Sequence, residues 1–137
     1  MSYTLVHGSL TNELEDYIYD KYDAEECFNL LQSKICFFGH THHAESFIYN
    51  EQTKEINKKS FTESGSLQLE NNLKYLINPG SVGQPRDSNP KLSFAIWNTE
   101  KNTINFYRLD YDINSCANKI VAAGFPQELA SRLYLGY

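Results

Sequence analysis

Several things are scarce in this chain, and each scarcity closes off a class. No apolar run approaches the roughly 20 residues that cross a bilayer, and the N-terminus lacks a signal-peptide layout. Basic residues are in the minority: 12 Lys and Arg face 17 Asp and Glu, for a net charge of −5. A field of that sign holds neither nucleic acid nor an anionic membrane, so handling phosphate requires metals or a few well-placed cations. Cysteine occurs only at Cys27, Cys36 and Cys116, an odd set without metal-finger spacing. These read as free buried thiols in a reducing compartment, with the cytoplasm as default. There is no internal repeat, low-complexity tract or linker. What remains is 41% hydrophobic and 14% aromatic over 137 residues, enough for one domain with a real core.

The patterning is that of a mixed α/β chain. Tyr3 to His7 is apolar and β-branched enough for a buried strand, ended by Gly8-Ser9. A core strand so near the first residue is unusual for a complete domain, whose termini ordinarily lie at the surface. Asn12 to Tyr19 carries Leu14, Tyr17 and Ile18 at helical spacing. Asp23 with Glu26 three residues on resembles a capping box, leading into a helix through Cys27, Phe28, Leu30 and Leu31. That helix feeds the short apolar run Ile35-Cys36-Phe37-Phe38, giving a strand–helix–strand unit with a crossover. Strands are then expected at 46–49 and 74–77. A weak edge strand within 54–61 is blunted by Lys54, Lys58 and Lys59, and 65–70 is ambiguous. Residues 92–98 and 103–110 alternate as a hairpin with one face in a core. Asp112 caps a helix to Ala123, Gly124 ends it, and Pro126 opens a last short helix through Leu133.

Three stretches carry the chemistry. In Phe37-Phe38-Gly39-His40-Thr41-His42, an apolar strand stops at a glycine that permits a sharp turn, and two imidazoles follow one residue apart. Histidine is the commonest metal ligand, and this spacing can aim both rings at one ion or at two ions sharing a cavity. The alternative is a solvated turn pair. A lone His7 at a strand end is ordinarily a hydrogen-bonded structural residue. Its form, however, repeats that of His40: an apolar strand, then a histidine beside a glycine. Both then emerge at the carboxyl ends of neighbouring strands, where ligands gather in α/β sheets. His43 has no such argument and reads as a solvated loop residue. In Asn78-Pro79-Gly80-Ser81-Val82-Gly83-Gln84-Pro85-Arg86-Asp87, Pro79-Gly80 suits a type II turn. The backbone N–H groups of that loop, with Ser81, are candidates to face an anion, and Arg86 offers a planar fork for phosphate. Arg86 and Asp87 clamping the loop to each other is the rival reading, and the sequence leaves both open.

Together these three stretches resemble the calcineurin-like metallophosphoesterases, above all the small bacterial and archaeal branch of phosphodiesterases and diadenosine-tetraphosphatase-like proteins. The tail from Ala122 to Leu133 is similar to that branch as well. The resemblance covers the whole chain but only the C-terminal half of the family's domain. It implies part of a four-layer α/β/β/α sandwich with mixed sheets, lacking the N-terminal strands. It implies that His7 and His40 are ligands of the second metal and His42 of the first. The cofactors are then two divalent ions, accepted as Mn, Fe, Zn, Co or Ni, and the substrate a phosphomono- or phosphodiester.

The family's Asp-x-His, Gly-Asp-x-x-Asp and Asn-His motifs have no counterpart in these 137 residues. Two ions about 3.5–4 Å apart need a bridging carboxylate and several ligands each, which three neutral imidazoles do not supply. The chain by itself is therefore expected to bind metal weakly, to contain no catalytic acid, and to work with an N-terminal half supplied in cis or by another polypeptide. An unpaired strand edge and a tendency to associate, including as a homo-oligomer, are expected. A non-catalytic protein-binding scaffold of the same fold is the alternative. A single structural zinc is weaker, for want of a fourth ligand.

Overall fold

A computed structural model of the protein describes residues 2–137. Its first strand, β1 (Tyr3–Leu5), lies parallel to β2 (Ile35–Phe37), with Leu5 opposite Phe37. Helix α1 (Lys21–Leu30) connects them. The strands that follow are β3 (Ala44–Asn50), β4 (Ile56–Ser60), β5 (Gly65–Gln68), β6 (Leu73–Pro79), β7 (Leu92–Asn98) and β8 (Thr103–Leu109). Helices α2 (Ile113–Ala122) and α3 (Gln127–Ser131) and a 3₁₀ turn at Arg132–Tyr134 complete the chain.

Five strands form a mixed sheet in the order β1-β2-β6-β3-β4, and three form an antiparallel sheet in the order β5-β8-β7. The apolar alternation of each strand sorts its side chains between two cores. On one face of the larger sheet, Cys36, Phe38, Phe47 and Leu76 pack against Ala24, Cys27, Phe28 and Leu31 from α1 and its C-cap. On the other, Ile35, Ala44, Tyr75 and Ile77 meet Leu67, Ile104 and Phe106 of the smaller sheet, where Phe61 and Phe106 stack at 3.7 Å. Helices α2 and α3 pack mainly on each other, and Ile96 and Leu109 on the outer face of the smaller sheet stay about half exposed. In β7, therefore, Ser93, Ala95 and Trp97 face the core rather than Leu92, Phe94 and Ile96. No helix among the described residues is long and apolar enough to cross a membrane.

Four local expectations are corrected. Residues 12–19 form no helix, because Ser9 and Asn12 side chains accept the backbone N–H groups of Thr11, Asn12, Leu14 and Glu15 in a chain of tight turns. The N-cap of α1 is Asp20, which accepts from Tyr22 and Asp23 N–H, and Asp23 is the reciprocal residue of the box. Strand β1 is shorter than Tyr3–His7 and lies at the sheet edge, with Tyr3 55% and Leu5 69% exposed. Cys27 and Cys36 are buried thiols as anticipated, the latter pushed up to about 12 by burial, but Cys116 is only half-buried.

Glu45 is the costly residue of the larger sheet. It is 1% exposed on β3, with Oε2 2.7 Å from Lys58 Nζ and Oε1 without a partner. Burial raises its pKa, and the opposing bond and charge of Lys58 do not restore it. A folded pKa above the unfolded one means that the stabilising contribution is full below the ordinary carboxylate range and is lost as pH rises through the folded value. Glu45→Gln keeps an acceptor for Lys58 without the charge. Melting curves of both proteins from about pH 4 to 7 should show the variant gaining on the parent as pH rises. A difference that stays flat with pH would sink this assignment.

Candidate metal and phosphate site

Parallel strands β1, β2 and β6 end along one rim of the larger sheet, and antiparallel β3 begins there, with Ala44 opposite Pro79. The three motifs of the sequence are the segments leaving or entering that rim. His7 lies two residues beyond β1, His40 three beyond β2, and the 80–87 loop leaves β6.

The backbone here is tied before any side chain is considered. Val6 N–H donates to Phe37 O and Gly39 N–H to His7 O, so the β1 exit runs alongside the β2 exit. Gly39 is not the sharp turn it resembled. The left-handed conformations fall on His40 (φ 63°) and His42 (φ 60°), where a non-glycine residue costs about 1–2 kcal/mol each. Asn78, fully buried, holds the turn: its Nδ2 donates to Gly39 O at 3.0 Å and Thr41 Oγ1 at 2.8 Å, while its Oδ1 accepts from Gly80 N–H at 2.9 Å. Gly80 has φ +84°, as the type II turn required, and a Cβ there would lie 2.6 Å from Ser93 Oγ.

His7 Nε2 and His40 Nδ1 stand 2.9 Å apart, with ring centroids at 4.7 Å. Neighbouring ligands on one ion, with metal–nitrogen bonds of about 2.1 Å, are separated by about 3 Å in octahedral and about 3.4 Å in tetrahedral coordination. The pair therefore fits one edge of a coordination sphere. His42 faces a different neighbour: its Nδ1–H donates to Gln84 O at 2.8 Å, leaving Nε2 as the free nitrogen. Ligating histidines are commonly oriented by such a bond to a carbonyl. Burial pulls the His42 pKa down against the raising effect of the Gln84 bond, and the charge of Arg86 adds to the fall, which favours the form with its lone pair available. The other two histidines also lower it, so all three rings lie within electrostatic reach. Among the described residues, however, no three His, Cys, Asp or Glu side chains gather closely enough to hold an ion. What is present is a pair and a neighbour.

The 80–87 loop differs from its anticipated role in two respects. Ser81 Oγ accepts the N–H groups of Gly83 and Gln84, so those donors are turned inward rather than toward an anion. Asp87 does not clamp Arg86. Its carboxylate pairs with the buried Arg108 guanidinium and accepts Ala44 N–H at 3.0 Å. Arg86 is thereby left with Gln84 Oε1 at 3.1 Å and a buried Nε without a partner. Of the two candidates for gripping phosphate, Arg86 keeps unused guanidinium donors, while the Ser81 oxygen is taken up by the loop's own N–H groups. The sequence reading missed Tyr17, which stacks on His40 at 3.9 Å, and Tyr19, which meets the edge of His43. The alternation Tyr17-Ile18-Tyr19 was the available signal, since a buried Ile18 turns both rings outward together.

Residues 1–102 match the Calcineurin-like phosphoesterase superfamily domain. The chain belongs to that superfamily. It is 36% identical over 124 residues to an uncharacterized protein of Methanocaldococcus jannaschii, covering 90% of this chain and 47% of that protein. A crystal structure of a metallophosphoesterase from Sphaerobacter thermophilus superposes with a TM-score of 0.88 at 32% identity, over 98% of this chain and 55% of the other. A hypothetical protein of Pyrococcus horikoshii shares the fold at a TM-score of 0.67 and 18% identity, over 97% of this chain and 46% of that one. This calcineurin-like chain thus spans about half the length of the relatives it matches.

Asn78→Ala removes all three bonds of the tie and leaves Gly80 N–H without its acceptor, a loss of about 2–4 kcal/mol. Denaturant unfolding should read that difference. A change below about 1 kcal/mol would show that the turn stands without Asn78.

Proposed function

We propose that the chain carries the imidazole-rich side of a two-metal phosphoesterase centre, with His7 and His40 on one divalent ion, His42 on the other, and Arg86 gripping the phosphate. The observation that supports this most is the pairing of His7 with His40 at ligand-like spacing, beside His42, whose Nδ1–H is already taken by Gln84 O. Divalent ions in such a site polarise the phosphate and supply a hydroxide near neutral pH. His7, His40 and His42 would hold them. Mn, Fe, Zn, Co or Ni all suit such imidazole donors, according to supply.

Arg86 contributes through its planar guanidinium, half-buried and tethered at one nitrogen by Gln84. It binds and orients a phosphate ester with little rotamer freedom left to lose. The buried Arg108–Asp87 pair fixes the loop from behind, against the start of β3. Among the described residues no carboxylate stands with the histidines to bridge two ions, so in this reading the remaining ligands and the general acid come from a further segment. That segment corresponds to the part of the relatives not matched here, supplied in cis or as a separate chain. The free thiols suit a cytoplasmic setting.

Metal analysis and a chromogenic phosphodiester assay with Mn, on the chain with and without that segment, test the reading. Hydrolysis should require the segment, and His42→Ala should abolish it while leaving the protein folded. Unchanged activity in His42→Ala would remove this ring from the ligand set.

In the same active assembly, Arg86→Ala should raise KM more than it lowers kcat, because a grip on the substrate phosphate acts in the ground state as well. A pure kcat defect with KM unmoved would contradict that role.

A further inference from the structure

The segment 9–19 has no regular structure, yet it is pinned along its length. Gly8 N–H donates to Glu13 O at 2.8 Å, and a Cβ on Gly8 would come within 2.8 Å of both Asn12 O and Asp16 O. A side chain at position 8 is therefore excluded by the segment folding back over it. Ser9 Oγ and Thr11 Oγ1 donate to Asp16 Oδ2, closing the loop on itself. Beyond it, Ile18 is 2% exposed and sits in the core with Phe28 and Phe38. Tyr19 is held at both ends, its N–H donating to Asp23 Oδ2 and its carbonyl accepting Lys58 Nζ at 2.7 Å.

The result is a tyrosine in a fixed place on a loop. Tyr17 lies over His40 with centroids 3.9 Å apart and planes 24° apart, and Tyr19 stacks beside it at 5.3 Å and 9°. His40 in turn meets His7 through Nδ1. An imidazole on a left-handed backbone position has its Cα–Cβ direction set by an uncommon φ, and only χ1 and χ2 remain to aim the nitrogen. A flat ring against one face removes most of the χ2 freedom. Tyr17 is 42% exposed, so its place over His40 is not accounted for by burial of the tyrosine itself.

We propose that Tyr17 is a positioning residue for the histidine pair: by covering one face of the His40 imidazole, it fixes the plane in which Nδ1 converges with His7 Nε2, and so strengthens the hold of that pair on a divalent cation. This rests on the reading of His7 and His40 as metal ligands. Groups that orient a ligand from behind commonly change metal affinity by about 10–100-fold, and a stacked ring does by contact what a hydrogen bond to the second nitrogen does elsewhere.

The test is a zinc titration of the 137-residue chain against a chromogenic chelator, for the parent and for Tyr17→Phe, Tyr17→Leu and His40→Ala. Phenylalanine keeps the flat face, leucine keeps the bulk without it, and His40→Ala sets the floor. Circular dichroism confirms that each is folded. The metal-free His40 ring protons, read by NMR, should lie upfield in the parent and in Tyr17→Phe and should move downfield in Tyr17→Leu. Expected is an affinity within about threefold of the parent for Tyr17→Phe, and at least about tenfold weaker for Tyr17→Leu. A parent no tighter than His40→Ala would overturn the pair as a metal site, and the proposal with it. A parent tighter than His40→Ala but matched by Tyr17→Leu would overturn the positioning role alone, as would a loss in Tyr17→Phe equal to that in Tyr17→Leu.

Discussion

One buried amide sets the geometry of the rim. Asn78 is the last-but-one residue of β6, where a strand side chain must point into one core or the other. It uses that position to reach sideways, donating to Gly39 and Thr41 on the β2 exit and accepting from its own chain at Gly80. An aspartate there would lose both donors, and a leucine would break all three bonds and leave Gly80 N–H without its acceptor. Because the amide is satisfied on both ends, the two loops cannot drift relative to each other without breaking a buried network. The histidines thus inherit the rigidity of the sheet although neither is in a strand.

That rigidity explains how the strained residues persist. His40 and His42 both occupy the left-handed region, and Thr41 between them is fully buried with its hydroxyl engaged by Asn78 and by His43 N–H. The alternation is strained, anchored, strained. The anchor pins the middle residue, and each flanking imidazole has a contact that depends on the unusual backbone: His40 with His7 and Tyr17, His42 with Gln84. Backbone strain of this kind survives where surrounding structure over-determines it, which is characteristic of sites that bind something. The second clamp, Arg108 to Asp87, works from the opposite side. It crosses from β8 in the smaller sheet to the loop after β6, and Arg108 also donates to Phe61 O. Both sheets therefore contribute to holding one rim.

Strands and caps were legible in the sequence where the physics is local. Strand β7 runs Leu92–Asn98 as its alternation indicated, β8 stops one residue early at Leu109, and Asp112 caps α2 through Ser115 N–H. Residues 12–19 failed because helical spacing of Leu14, Tyr17 and Ile18 competes with short side chains that take the backbone N–H groups first. The capping box of α1 lies three residues earlier than Asp23 suggests, since Asp20 and Asp23 each have an acidic residue three positions on, Asp23 and Glu26. The histidines were legible from motif form. Their grouping as a pair plus a neighbour was not, because it depends on Tyr17 and Gln84, which arrive from segments far along the chain. The Arg108–Asp87 pair spans 21 residues and no local rule points to it.

The electrostatics of the rim narrow what it can be. A protein of net charge −5 presents at this edge three imidazoles and one incompletely paired guanidinium, with the nearest loop carboxylate, Asp87, already paired with Arg108. Had Asp87 been free, it would repel a phosphate and hold Arg86 to itself. Its capture from behind leaves Arg86 with donors to spare. The same capture removes the one carboxylate of the loop that could have bridged two cations. The arrangement therefore favours an anion and a cation arriving together, each offsetting the other's charge, over either one alone. The proposed phosphate ester, met together with divalent metal, is consistent with that condition.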